Sequence, residues 1–221
     1  MKKICLFLLL FLIPFVVKGE ELNLAENAKS AILIEASTGE ILYQKNANER
    51  LAPASMTKIM SLILIMENIE NGNLKWNDIV VVSKNASSMG GSQIFLEANE
   101  MMTVEDLVKG ICIASGNDAT VALAEKIAGT EKAFVKLMND KAKSLGLKNT
   151  NFVNATGLDA EGHYSTANDM SVMARELVKH EKILEFSSIY EDYLRKNTAK
   201  SFWLVNTNKV VYKNYYSRKL L

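Results

Sequence analysis

Ser55 and Lys58 are the residues in this chain whose types and spacing best suit chemistry. Three apart on a helix, a hydroxyl and an amine share one face, with β-carbons about 5–6 Å apart. A serine is a weak nucleophile until a base takes its proton. A lysine serves as that base only where low-dielectric surroundings disfavour its charged form. The run Ile59, Met60, Leu62, Ile63, Leu64, Ile65 and Met66 follows directly, so this helix is apolar nearly all round and the root of Lys58 is expected to be buried. The motif alone is weak. Sixteen serines and 22 lysines in 221 residues yield about 1.6 Ser-x-x-Lys matches by chance. Taken alone, the pair is more simply an N-capping serine followed by a solvated lysine.

Ser115-Gly116-Asn117 is the second candidate. It lies on a tight break between two helical segments, which can point a hydroxyl and a carboxamide into a cleft. The hydroxyl can relay a proton; the amide can donate to a substrate carbonyl and accept from a substrate N–H. The plainer alternative is loop chemistry, with Gly116 making the turn and Asn117 capping the next helix. Ser83-Lys84-Asn85 repeats the spelling without a helical frame and is assigned to the surface. His163 is read as ordering its loop, because the lysine already fills the role of base. Asp118 is read as a helix cap. Cys112, Trp76 and Trp203 are read as core residues. Two histidines and no clustered carboxylates speak against a metal site, and no cofactor is expected.

The elements that must position these residues follow from pattern. Ala31–Glu35 and Ile41–Gln44 read as a hairpin around Ser37-Thr38-Gly39-Glu40. The Ser55 helix ends near Asn71-Gly72, and Ile79–Val82 reads as a strand. Ser87–Ser92 is a loop. Thr103-Val104-Glu105-Asp106 resembles a capping box opening a helix that runs to Ala114. A second helix starts near Asp118, a third spans Glu131–Leu145 behind Thr130, and a fourth opens at Thr166 and ends near His180. Asn149–Tyr164 is a long polar loop. Ser201–Val205 and Lys209–Tyr212 read as strands. Strands at both ends with helices between predict an α+β fold in which terminal strands share a sheet and the middle forms a helical lobe. The cleft between them is the natural place for a site.

Lys2 and Lys3, an apolar run from Ile4 to Val17, then Lys18 and Gly19 read as a secretory signal over residues 1–19. The run is short for a membrane span. An uncleaved signal acting as an anchor is the alternative, and the only route to a membrane surface that the sequence offers. Without its three lysines the remaining chain has 23 basic and 25 acidic residues, net −2. That balance gives no sign of a nucleic-acid partner. Residues 20–221 suffice for one domain. Cys112 alone survives in that part, so no internal disulfide can form.

Ordered segments then narrow the reading. Ser55-x-x-Lys58 followed by Ser115-x-Asn117 resembles the first two active-site motifs of serine penicillin-binding proteins and class A β-lactamases. Five segments are similar to the D-alanyl-D-alanine carboxypeptidases of the low-molecular-mass penicillin-binding class, over roughly residues 26 to 211. They are Pro53–Lys58, Ser88-Met89-Gly90-Gly91-Ser92, Ala114–Ala119, Asn151-Phe152-x-Asn154-x-Thr156-Gly157-Leu158 and His163-Tyr164-Ser165-Thr166-Ala167.

The resemblance implies a β-lactamase/DD-peptidase-like fold, with an antiparallel sheet flanked by helices plus a helical lobe. It also implies Ser55 as nucleophile, Lys58 as base, Ser115 in proton relay and Asn117 in substrate binding. The implied substrate is a peptidoglycan stem peptide ending in D-Ala-D-Ala, with β-lactam antibiotics acylating the same serine. The implied location is the periplasm or the outer face of the cell membrane.

The same resemblance sets expectations about what is missing. The family's third motif, Lys-Thr-Gly, occurs nowhere in the 221 residues. Asn206-Thr207-Asn208-Lys209 is similar to the segment that precedes it, and the chain then departs into Asn214–Leu221. The expectation is a C-terminally truncated or frameshifted member whose last sheet strands are missing. It predicts an N-terminal hairpin with an open edge and a bare apolar face, and a carboxypeptidase impaired in activity. Two other readings stand beside it. A class A β-lactamase-like hydrolase would need an activating glutamate in the long loop, where only Glu161 is available. An inactive remnant, or a stem-peptide-binding protein, is the non-enzymatic alternative.

Overall fold

The structure, a computed structural model, describes residues 24–212. The expected signal segment and the Asn214–Leu221 tail lie outside these residues. The fold is α+β, built around one apolar helix. α1 (Lys58–Glu70) buries Met60 through Met66 on every side. α4 (Asn117–Ala128), α5 (Glu131–Ser144) and α6 (Ala167–Leu177) pack around it. α3 (Val104–Ala114) lies against α4 and against α7 (Glu181–Ser187). Met60, Ile63, Ile65, Leu107, Ile113, Leu123, Phe134 and Met138 form the fully buried centre.

Helix starts are set by threonine side chains. Thr103, Thr130 and Thr166 each accept from the backbone N–H three residues on, at 3.1, 3.1 and 3.0 Å, so α3, α5 and α6 begin as the caps in the sequence predict.

β1 (Ala31–Ile34) and β2 (Ile41–Lys45) form the expected antiparallel hairpin. Its turn is closed by Glu35, whose carboxylate accepts from Ser37 Oγ and Thr38 N–H; these bonds hold the carboxyl down at about 2. Arg175 of α6 donates to the carbonyls of Ala36 and Ser37, tying the turn to the helices. Leu33, Ile41 and Leu42 are exposed, and a groove of about 480 Å³ opens between β1, Met56, Ile59 and α6. Among the described residues the hairpin thus carries exposed apolar side chains beside this groove.

Several expectations are corrected. Terminal strands do not share a sheet among the described residues. The strands form three separate pairs, β1–β2, β3 (Ile79–Val81) with β4 (Met101–Thr103), and β5 (Glu191–Leu194) with β6 (Phe202–Val205). The last pair packs on α3 instead of on the hairpin. Lys209–Tyr212 is a helical turn, α8, not a strand. Asn208 takes the Val210 N–H on its side chain at 3.0 Å, which starts a helix against the β-branched valines. Trp203 is not core. Strand alternation turns Leu204 inward and Trp203 outward, where it stacks on Tyr193 across the ladder and donates to Glu191. Short α2 (Lys84–Ser87), β4, α7 and β5 carry too little periodicity to read in advance.

Candidate active site

The chain enters α1 abruptly. Ala54 adopts a left-handed φ of +49°, and Ala54–Thr57 form a single 3-10 turn before the helix proper. An alanine there is strained, and surrounding structure must hold it. Ser55 sits on this turn, exposed, and its side chain caps neither the turn nor α1. The capping alternative for Ser55 is therefore set aside.

Gly157 explains how the turn is held. Its φ is +88°, and a β-carbon at this position would lie 1.8 Å from the Ala54 carbonyl oxygen and 2.9 Å from Thr57 Oγ1. Only glycine lets the long loop press so closely on the Ser55 turn.

That loop runs along α1 as a strap. Its base is joined through backbone bridges Leu51↔Ser165 and Asn151↔Tyr164. Ser61 Oγ donates to the Ala155 carbonyl at 2.7 Å, and Lys58 Nζ donates to the next carbonyl, Thr156, at 2.9 Å. Asn154 Oδ1 receives the Thr156 and Gly157 N–H groups at 3.1 and 2.7 Å.

Lys58 Nζ also lies 3.3 Å from Ser55 Oγ. Lys58 is 3% exposed, and no carboxylate pairs with it among the described residues. Burial drives its amine down from 10.5 to about 8. At neutral pH this raises the uncharged fraction by roughly two orders of magnitude. The amine has one N–H engaged by Thr156 and, when neutral, a lone pair for the serine proton. An exposed hydroxyl with a buried, depressed lysine can carry out acyl transfer.

His163 is buried, and its tautomer is fixed. The Val153 N–H donates to Nδ1 at 3.0 Å, so Nε2 carries the proton and faces Thr57 Oγ1 at 2.8 Å. Burial lowers its pKa, with Asp159 opposing. His163 thus orders the loop and holds Thr57, next but one to Ser55. It makes no hydrogen bond to Ser55 among the described residues.

The second constellation forms the neighbouring wall. Ser115 ends α3 in the left-handed region, φ +57°, and Gly116 opens α4. Asn117 does not cap α4. Its backbone N–H donates to Ser92 and its side-chain Nδ2 to Gly90, both at 2.7 Å. Its Oδ1 is buried and has no hydrogen-bond partner among the described residues. Ser115 Oγ makes no hydrogen bond to Ser55, Lys58 or any other described residue, so only the Ser55–Lys58 part of the expected set is directly joined. Asp118 is buried and receives the N–H groups of Ile94, Leu96 and Ala119. Leu158, next to Gly157, comes within 3.5 Å of where a Gly91 β-carbon would stand, so one loop touches both walls. A cleft of about 390 Å³ opens between Ala52, Ala54, Gly157–Glu161 and His163.

Sequence reasoning missed the Thr156 carbonyl and the Thr57–His163 contact. A backbone acceptor leaves no mark on residue type; the glycine after it was the one available hint. Cys112 is no competing nucleophile, since burial pushes its thiol up to about 12. No group of three potential metal ligands occurs among the described residues.

An apolar helix that carries an exposed serine and its buried lysine, in an α+β fold, has the groups that a serine–lysine type of acyl-transfer site would need. Residues 18–220 match the D-alanyl-D-alanine carboxypeptidase family, and the chain belongs to it. It is 64% identical over 189 residues to the D-alanyl-D-alanine carboxypeptidase DacF of Bacillus subtilis, covering 86% of this chain and 49% of that protein. It is 37% identical over 194 residues to the D-alanyl-D-alanine carboxypeptidase DacA of Escherichia coli, covering 85% and 47%. The chain thus spans about half the length of these curated relatives. Among solved structures, penicillin-binding protein 6B of Escherichia coli superposes with a TM-score of 0.80 at 32% identity, over 92% of this chain and 63% of that one. The carboxypeptidase DacD of Francisella tularensis gives 0.75 at 38%, over 78% and 42%. The expected DD-peptidase-like α+β fold is borne out.

Proposed function

We propose that this chain carries the acylation machinery of a serine-type D-Ala-D-Ala carboxypeptidase acting on peptidoglycan stem peptides. The observation that carries the reading is the exposed Ser55 hydroxyl 3.3 Å from the buried Lys58 amine. Neutral Lys58 takes the Ser55 proton as Oγ attacks the carbonyl between the last two D-alanines. The C–N bond breaks, the leaving amine of D-alanine collects a proton, and Ser115 assists that transfer. Water then hydrolyses the ester. Asn117, with its free buried oxygen, accepts from a peptide N–H. A β-lactam acylates the same serine by opening its ring amide. No metal or other cofactor enters these steps.

No helix among the described residues is long and apolar enough to cross a membrane. Export through the signal-like residues 1–19, to the periplasm or the outer face of the cell membrane, belongs to the same proposal.

The test is incubation of the folded protein with a fluorescent penicillin and, separately, with a peptide ending in D-Ala-D-Ala. The proposal expects covalent labelling that Ser55→Ala abolishes, and D-alanine release that depends on the same residue. Rapid turnover of the penicillin without a lasting adduct would favour a β-lactamase-like hydrolase. A folded protein that neither labels nor releases D-alanine would favour a non-enzymatic remnant.

A further inference from the structure

Far from the nucleophile in sequence, Arg195 grips the loop that holds Asn117. Its guanidinium donates to the carbonyls of Ile94 and Phe95, each at 3.2 Å, and makes a two-pronged pair with Glu100. The opposite edge of the same segment is held by Asp118, which receives the Ile94 and Leu96 N–H groups. Ile94 is fully buried, and its side chain fills space kept open by two glycines. A β-carbon on Gly110 would lie 2.9 Å from Ile94 Cδ1, and one on Gly116 3.3 Å from Ile94 Cγ2. Ile94 is thus wedged against the Ser115-Gly116-Asn117 corner, with Arg195 on its carbonyl and Asp118 on its amide.

Two residues of this clamp are strained. Arg195 has φ +53° and Phe95 has φ +56°. Left-handed conformations in such side chains persist only where surrounding contacts over-determine them. The clamped segment continues back through Ser92 to Gly90, the two carbonyls that receive the Asn117 N–H and Nδ2. With Nδ2 committed to Gly90, Asn117 Oδ1 is left buried and unpartnered. A buried orphan of this kind is unfavourable, and a mobile loop would let the amide rotate or admit water.

We propose that Arg195 is a positioning residue: through the Ile94 segment it fixes the Gly90 carbonyl and so aims the Asn117 carboxamide. The consequence for acylation rests on the function proposed above; the consequence for the amide does not.

The test has two arms, on the full chain. In the first, the rate constant for acylation by a fluorescent penicillin is measured in a double-mutant cycle. Arg195→Gln is expected to slow acylation about tenfold when Asn117 is present, and by less than about twofold in the Asn117→Ala background. In the second arm, hydrogen exchange of the Asn117 side-chain amide is followed by NMR, and Arg195→Gln is expected to speed it about tenfold. Should Arg195→Gln not fold, Arg195→Lys serves both arms; it keeps a charge for Glu100 but cannot reach both carbonyls at once. Additive losses in the cycle, or an Asn117 amide as protected as in the parent, overturn the proposal. If the parent protein does not acylate at all, the proposed function fails while the exchange arm still decides the role of Arg195.

Discussion

Lys58 donates to the carbonyl of Thr156 at 2.9 Å, and this bond aims a buried amine at Ser55. A lysine stem is long and loses much rotamer freedom when fixed. Here α1 supplies the root and the strap residue supplies the tip, so the amine is held at both ends. The carbonyl is neutral, so it orients the ammonium without providing a countercharge. Burial therefore wins, and the amine falls to about 8.

Acylation should follow the titration of that amine. The acylation rate constant is expected to rise about tenfold per pH unit below about 8 and to flatten above it. Penicillin acylation measured from pH 6 to 10 checks this. A rate independent of pH across that range would mean that Lys58 is not the base.

The same shift couples to stability. Between about 8 and 10.5 the unfolded chain holds a proton on Lys58 that the folded chain has released. Stability contributed by the neutral amine is therefore complete above 10.5 and is lost as pH falls towards 8. Relative to Lys58→Met, the parent should gain on the order of 1.4 kcal/mol per pH unit across this window. Urea unfolding of both proteins at pH 8, 9 and 10 reads the difference directly.

Gly157→Ala should damage stability and chemistry together. The new β-carbon meets the Ala54 carbonyl in a conformation that alanine resists. A loss of at least about 2 kcal/mol is expected, from backbone strain and the displaced strap. Thermal unfolding gives the first number, and the acylation rate of the folded fraction gives the second.

His163 should make the fold acid-sensitive. Burial holds its pKa below 6.5, so its neutral form stabilises the fold above that pH and the contribution is lost as pH falls through the lower folded value. Protonation also places a second N–H against the Val153 donor. His163→Gln should therefore lose less stability between pH 6.5 and 4.5 than the parent, and thermal melts across that range check it. Equal losses would show that the fold leaves the His163 pKa unshifted.

Much of this was readable because it is local. The Ser55–Lys58 spacing, the apolar run behind it and the threonines at 103, 130 and 166 act through helical geometry, which residue order expresses directly. What was not readable depends on distant partners. Whether β5 and β6 join the hairpin is decided by which surface they pack on, and they pack on α3. Lys209–Tyr212 has strand-like residues, and one side-chain bond from Asn208 turns it into a helix. Arg195 carries no motif, and its contacts arise only where the chain brings it against Ile94 and Glu100. Asn117 stood out in the sequence as a candidate, while its commitment to Gly90 and its oxygen's lack of a partner among the described residues were not readable.

The most direct test of the central claim is peptide mapping by mass spectrometry after incubation with benzylpenicillin. One penicilloyl adduct is expected, located on Ser55, absent in Ser55→Ala and formed at least about a hundredfold more slowly in Lys58→Met. A stable adduct on another residue, or an adduct on Ser55 formed equally fast without Lys58, would contradict it.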